Sequence, residues 1–238
     1  MFKIALDAGH GLYTAGKRCL KAIDPKETRE WWLNDRICDK VESMLKAYEG
    51  YELLRVDDTT GATDVPLVTR TSKANSWGAD FYLSVHHNAG INGGSGGGIV
   101  AIVYTKASQK SKDYQKLIYN ELIKETGLKG NRTSPMPTQD LHVCRETHMP
   151  AVLVECGFMD SSTDTKLILT ENFADDCAEA LVNSLVKIGV LKEKEVMKPK
   201  EDTSGKIYRV QVGAYSVKAN AEAMQKKLKA DGYDAIIV

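Results

Sequence analysis

Phe2-Lys3-Ile4-Ala5-Leu6-Asp7-Ala8-Gly9-His10-Gly11 opens as a short apolar run and breaks into a polar, glycine-flanked turn. That pattern predicts a buried first strand over residues 2–6 that ends in a tight loop. Two later segments repeat it. Residues 81–85 run into His86-His87-Asn88, and Ala151-Val152-Leu153-Val154, bounded by Pro150, run into Glu155-Cys156-Gly157. Between these strands lie helical patterns. Leu33, Ile37, Val41, Met44 and Leu45 recur at amphipathic spacing, residues 67–77 and 108–126 read as further helices, and Phe173, Cys177, Leu181, Leu185 and Ile188 define a long one. Gly189 is expected to end that helix in a left-handed cap. Residues 51–56 and 99–104 add strands, the second after a segment, 93–98, with five glycines. Apolar strands alternating with helices predict an α/β fold, a mostly parallel sheet flanked by helices on both faces.

The chain has 238 residues, 42% hydrophobic and 27% charged, enough for one sizeable core and a small second module. Lys+Arg and Asp+Glu each total 32, so no global charge draws the protein to nucleic acid or an anionic surface. Any partner is recognised locally, and no nucleic acid is expected. No apolar run approaches the roughly 18 residues of a spanning helix, so no membrane insertion is expected. Met1 leads directly into the first strand without a basic n-region or apolar h-region, which reads as synthesis in the cytoplasm without a signal peptide. The five cysteines are odd in number, dispersed and never in a C-x-x-C pair, and read as free thiols.

From Lys192 to Lys206 nine of fifteen residues are charged, too few apolar groups for a core. Residues 191–206 are therefore read as a linker between a catalytic domain, 1–190, and a tail, 207–238. In the tail, residues 207–212 alternate as a strand, 219–228 read as a helix and 233–238 as the start of another strand. Such a unit is below the size at which one core usually suffices. It is expected to be incomplete or to need a partner.

Three predicted strands lead to His10, His86 and Glu155. In open α/β sheets the carboxyl ends of strands form the ligand crevice, so residues distant in sequence can converge there. Two imidazoles with a carboxylate suit a catalytic zinc site with one open position, and a further unligated carboxylate would complete the machinery. Each element alone is weak, because a histidine after a strand is more often structural.

Together, Leu6-Asp7-Ala8-Gly9-His10-Gly11, Glu30 with Asn34, Arg70 with Ala74-Asn75, Ser84-Val85-His86-His87-Asn88-Ala89 and residues 150–158 resemble the family 3 N-acetylmuramoyl-L-alanine amidases. The resemblance covers residues 1 to about 190 in the right order. It implies a phosphorylase/hydrolase-like amidase fold, Zn2+ held by His10, Glu30 and His86, and Glu155 as the catalytic residue. Glu27 stands close by; Glu30 is taken because its spacing to Asn34 matches the family pattern. Residues 13–29 depart from the family's glycine-rich loop. His87 falls on a variable position and is expected outside the ligand set.

The implied substrate is peptidoglycan, cut between N-acetylmuramic acid and L-alanine, with cell-wall lysis as the outcome. Rival readings are another zinc peptidase or carboxypeptidase of the stem peptide, or a non-catalytic wall-binding protein. Cys156 beside Glu155 raises a Cys-His hydrolase, but strand alternation points it to the opposite face. His142 and His148, which flank Arg145-Glu146, are read as surface residues or as supports behind the site, with a substrate contact as the alternative. Residues 208–215, with Ala219-Asn220-Ala221 and Leu228, resemble the first half of a peptidoglycan-binding SPOR domain, making a small α+β SPOR-like tail that looks truncated. A wall substrate without a signal peptide fits release by phage lysis or mother-cell lysis, as for an endolysin or sporulation autolysin.

Overall fold

Among the described residues the chain forms fifteen elements. In order they are β1 (Phe2–Ala8), α1 (Glu30–Leu45), β2 (Tyr48–Glu49), β3 (Tyr51–Arg55), α2 (Leu67–Trp77), β4 (Phe81–Asn88), β5 (Ile99–Tyr104), α3 (Gln109–Thr126), β6 (Thr138–Gln139), α4 (His142–Arg145), β7 (Ala151–Phe158), α5 (Asp164–Ile168), α6 (Glu171–Gly189), β8 (Lys192–Glu193) and α7 (Lys218–Ala230). The computed structural model describes residues 1–194, 211–230 and 232–237. Two units result, Met1–Lys194 and Glu195–Val238.

The first unit is built on a six-stranded sheet in the order β3-β1-β4-β7-β5-β6. Its pairings are parallel except β5 with β7, which is antiparallel. Strand alternation divides the core. Ile4, Leu6, Phe81, Leu83, Val152 and Val154 face one way, against apolar residues of α1, α3 and α6. Ala5, Tyr82, Ala151 and Leu153 face the other way, toward Ala74 of α2 and Val143 and Cys144 of α4. Helices thus cover both faces, as the sequence predicts. Cys156 is buried in the first cluster with Cys177, and all five cysteines are free and buried.

Local chemistry sets the helix ends. The Ser108 hydroxyl accepts from the Ser111 N–H at the start of α3, and Thr170 does the same for Phe173 at α6. The left-handed residue after α6 is Val190 (φ 50°), not Gly189 as expected. Packing explains the glycine instead: a Cβ on Gly189 would lie 2.7 Å from the Phe2 ring.

One expected boundary is drawn differently by the structure. Lys192–Glu193 pair antiparallel with Tyr48–Glu49, and the Lys194 N–H donates to the Ala47 carbonyl. The opening of the charged stretch is therefore tied into the first unit by backbone bonds that need no apolar side chains. In the second unit, the strand expected over 207–212 falls largely outside the described residues. Gln211, Val212 and residues 233–237 are not in strands. A strand needs a partner ladder for its N–H and C=O groups, and the described residues of this unit supply none. What they do form is α7, closed by the Tyr233 N–H donating to the Leu228 carbonyl and the Gln225 side chain donating to the Ala235 carbonyl.

Among the described residues no helix is long and apolar enough to cross a membrane.

Candidate metal centre and active site

β1, β4 and β7 are neighbours in the middle of the sheet and run parallel, so their carboxyl ends lie side by side. His86 and Glu155 are register partners within β4 and β7, which both continue past the apolar runs that predicted them. His10 follows β1 by two residues. Glu30 comes from the first turn of α1, where the positive end of the helix favours a carboxylate.

His10, Glu30 and His86 each offer a ligand atom, and these atoms lie within 4.8 Å of one another. Glu30 Oε1 is 3.0 Å from His86 Nδ1 and 3.3 Å from His10 Nε2. Burial works to raise the Glu30 pKa, but the two imidazoles outweigh it and hold the carboxyl well below the usual range. Burial works to lower the His86 pKa, and Glu30 beside it raises it overall. His10 Nε2 and Glu30 Oε2 are buried without a hydrogen-bond partner among the described residues, although each lies within ion-pair distance of a neighbour. Two nitrogens and one anionic oxygen, converging with lone pairs left over, fit a zinc ion.

Glu155 lies across from His86 with its Oε2 buried and unpartnered. Desolvation raises its pKa to about 7, which Glu30 reinforces and His86 opposes. A carboxyl poised near neutrality is suited to accept and return a proton. Glu27, the rival ligand, is turned away: it stands at φ 50° and pairs with Arg18 at 3.0 Å.

A scaffold holds these groups. Gly9 packs under the His86 ring, where a Cβ would come within 2.0 Å of ring carbon Cε1. The Asn34 amide donates to the Gly9 carbonyl at 3.1 Å, so its oxygen faces His87 Nδ1 at 2.8 Å. His87 therefore carries its proton on Nδ1. Burial pushes its pKa down to about 3, and it lies outside the three-residue cluster. The buried Arg70 guanidinium donates to Asp7, to the carbonyls of Ala8 and His10, and to that of Val65. Asn75 brackets the 146–148 turn, donating to the Glu146 carbonyl and accepting from the His148 N–H. His142 Nε2 lies 3.4 Å from the Thr71 hydroxyl and His148 is exposed, so neither joins the cluster.

Sequence reasoning passed over two contributors. Asp160 Oδ2 accepts from the consecutive N–H groups of Gly90, Ile91 and Asn92, fixing the loop after β4; an acidic residue answering a glycine-containing loop is too common to single out in advance. Lys17, on the stretch that departs from the family pattern, brings its ammonium to 3.8 Å from Glu30 Oε2.

Two cavities meet at His86. One, of about 350 Å³, is lined by Lys17, Glu30, His87, Asn88, Glu155 and Met159 among others. The other, of about 300 Å³, is lined by His10, Asp64, Val65, Pro66, Leu67 and Arg70 among others.

A family model described as N-acetylmuramoyl-L-alanine amidase matches residues 4–187, and one described as the SPOR domain matches residues 193–238. The chain is 33% identical over 245 residues to the sporulation-specific N-acetylmuramoyl-L-alanine amidase of Bacillus subtilis (strain 168), covering 100% of this chain and 85% of that protein. It is 34% identical over 240 residues to the endolysin of Bacillus phage SPP1, covering 95% and 84%. Among solved structures, the N-acetylmuramoyl-L-alanine amidase from Clostridium difficile 630 superposes with a TM-score of 0.70 at 26% identity, covering 78% of this chain and 95% of that one.

Proposed function

The chain belongs to the N-acetylmuramoyl-L-alanine amidase family and carries a SPOR domain, and from that premise we propose that it is a zinc-dependent peptidoglycan hydrolase whose metal is held by His10, Glu30 and His86. Cell-wall amidase activity follows from the family. The zinc dependence, the roles of individual residues and the lysis that results are our reading. One observation carries it: three potential ligands within 4.8 Å of one another, beside a buried, unpartnered carboxyl on the adjacent strand.

Zinc in such a site supplies Lewis acidity, polarising the amide carbonyl and easing the loss of a proton from water. The rest is done by the chain. Glu155 Oε2 takes the proton of the attacking water and returns it to the L-alanine nitrogen as the bond to the muramyl carbonyl breaks. Arg70, Asn34 and Gly9 keep the His10 loop and the His86 ring in place. The SPOR domain brings the enzyme to peptidoglycan, and action follows release from the cell, in phage-type or mother-cell lysis.

The test combines metal analysis with product analysis. The full chain should carry about one zinc and release fragments with a free amino terminus on L-alanine, and chelation should stop the release. Glu30→Gln should lose zinc while Glu27→Ala keeps it. Full activity in a verified metal-free sample would sink the zinc reading, and cleavage elsewhere in the stem would make it a different peptidase.

A further inference from the structure

We propose, on the amidase reading above, that Lys17 binds an acidic group of the stem peptide, the carboxyl of the residue after L-alanine, and so sets a preference for peptidoglycan in which that carboxyl is free and not amidated. Two independent features place the peptide on the Lys17 side. The departing amine must receive its proton from Glu155, and Glu155 lines the first cavity and not the second. The peptide that leaves with that amine therefore extends into the first cavity, and the muramyl side lies over Val65, Pro66 and Leu67.

Charge points the same way. Among the side chains lining the first cavity, Lys17 is the one permanent cation. The second cavity has Arg70, but that guanidinium is buried and spent on Asp7, Asp64 and the carbonyls of Ala8, His10 and Val65. The muramyl unit's acyl carbon is the bond being cut, so the nearest carboxyl of the substrate lies on the peptide.

Lys17 is built to hold its place. Its carbonyl accepts from the Glu30 N–H at 3.1 Å, tying the loop to the first turn of α1. The next residue, Arg18, bridges to Arg29 and pairs with Glu27. The Lys17 side chain is 44% exposed and its ammonium is 3.8 Å from Glu30 Oε2, too far for a hydrogen bond, so its donors are available to a substrate carboxylate.

The test measures kcat/KM of the full, zinc-loaded chain on N-acetylmuramoyl-L-alanyl-D-glutamate and on its α-amide. Wild type should prefer the acid. Lys17→Met should lower that preference about tenfold, the scale of one charge-assisted hydrogen bond, and Lys17→Arg should restore it. An unchanged ratio, or equal losses on both substrates, overturns the proposal. So does loss of zinc from Lys17→Met, which would mean that Lys17 acts only through Glu30. If wild type cleaves neither compound, it is the amidase reading that falls; calorimetric binding of L-alanyl-D-glutamate against its α-amide then decides on Lys17. A preference for the acid that disappears in Lys17→Met supports the contact, and equal binding overturns it.

Discussion

Arg70 Nη2 donates to the backbone carbonyl of His10 at 2.8 Å, so a guanidinium on α2 grips the turn that carries the first imidazole. His10 stands at φ 68°, a conformation that disfavours a side chain, and the surrounding structure has to hold it there. Arg70 also neutralises buried Asp7, which accepts in addition from the Ser84 hydroxyl. Arg70→Met should leave the Asp7 charge buried and unpaired and cost about 3 to 5 kcal/mol of stability. Urea unfolding of the two proteins measures the difference, and a change below about 0.5 kcal/mol would show that the pair is not structural.

Gly9→Ala separates ring placement from backbone strain. Gly9 is not in a left-handed conformation, so the methyl group meets no backbone penalty, only the His86 imidazole at 2.0 Å. The ring must shift, and turnover should fall on the order of 10², as expected for misplacement by about an ångström. Zinc affinity should weaken alongside. Wild-type zinc retention and wild-type turnover together would mean that the His86 ring is not held by this contact.

Glu155→Gln keeps volume but cannot carry the proton. Zinc content should stay near wild type while turnover drops on the order of 10² or more. Depleted zinc would make residue 155 a ligand. Preserved turnover per folded molecule would leave it a structural residue.

The raised Glu155 pKa has a consequence for the metal-free chain. Its folded value, about 7, lies above the unfolded value of about 4, so the folded state keeps the proton longer. This group's contribution is fully favourable below about pH 4 and is lost as pH rises toward 7. Glu155→Gln has no such loss, so its melting temperature should gain on that of wild type between those pH values and then level off. Titrating groups remote from Glu155 are common to both proteins and cancel in the comparison; Glu30 and His86, which interact with it, are the ones that do not. A gap that stays constant with pH would contradict the buried, unpaired state of the carboxyl.

Much of this architecture is a matter of local pattern, and local pattern is what a sequence displays. Apolar runs before His10, His86 and Glu155 mark strands because burial on both sheet faces demands continuous hydrophobicity. The spacing of Leu33, Ile37 and Val41 marks α1 because side chains 3.6 residues apart share a face. Glu30 was legible through family resemblance alone, since a glutamate at a helix start has many uses. Other features depend on where the chain returns to itself. An apolar segment such as Ile99–Tyr104 looks the same in either direction, so its antiparallel pairing with β7 was decided by the connection that places it. The glycine at 189 reads as a cap until Phe2 is seen packed against it. Arg70 gripping His10, Asn34 joining Gly9 to His87, and Lys17 beside Glu30 span 60, 25, 53 and 13 residues. The sequence by itself determined the strands, the helices and which groups could do chemistry. Tertiary structure decided which groups meet, because contact and burial, and the shifted proton affinities they create, arise only where distant segments exclude water from one another.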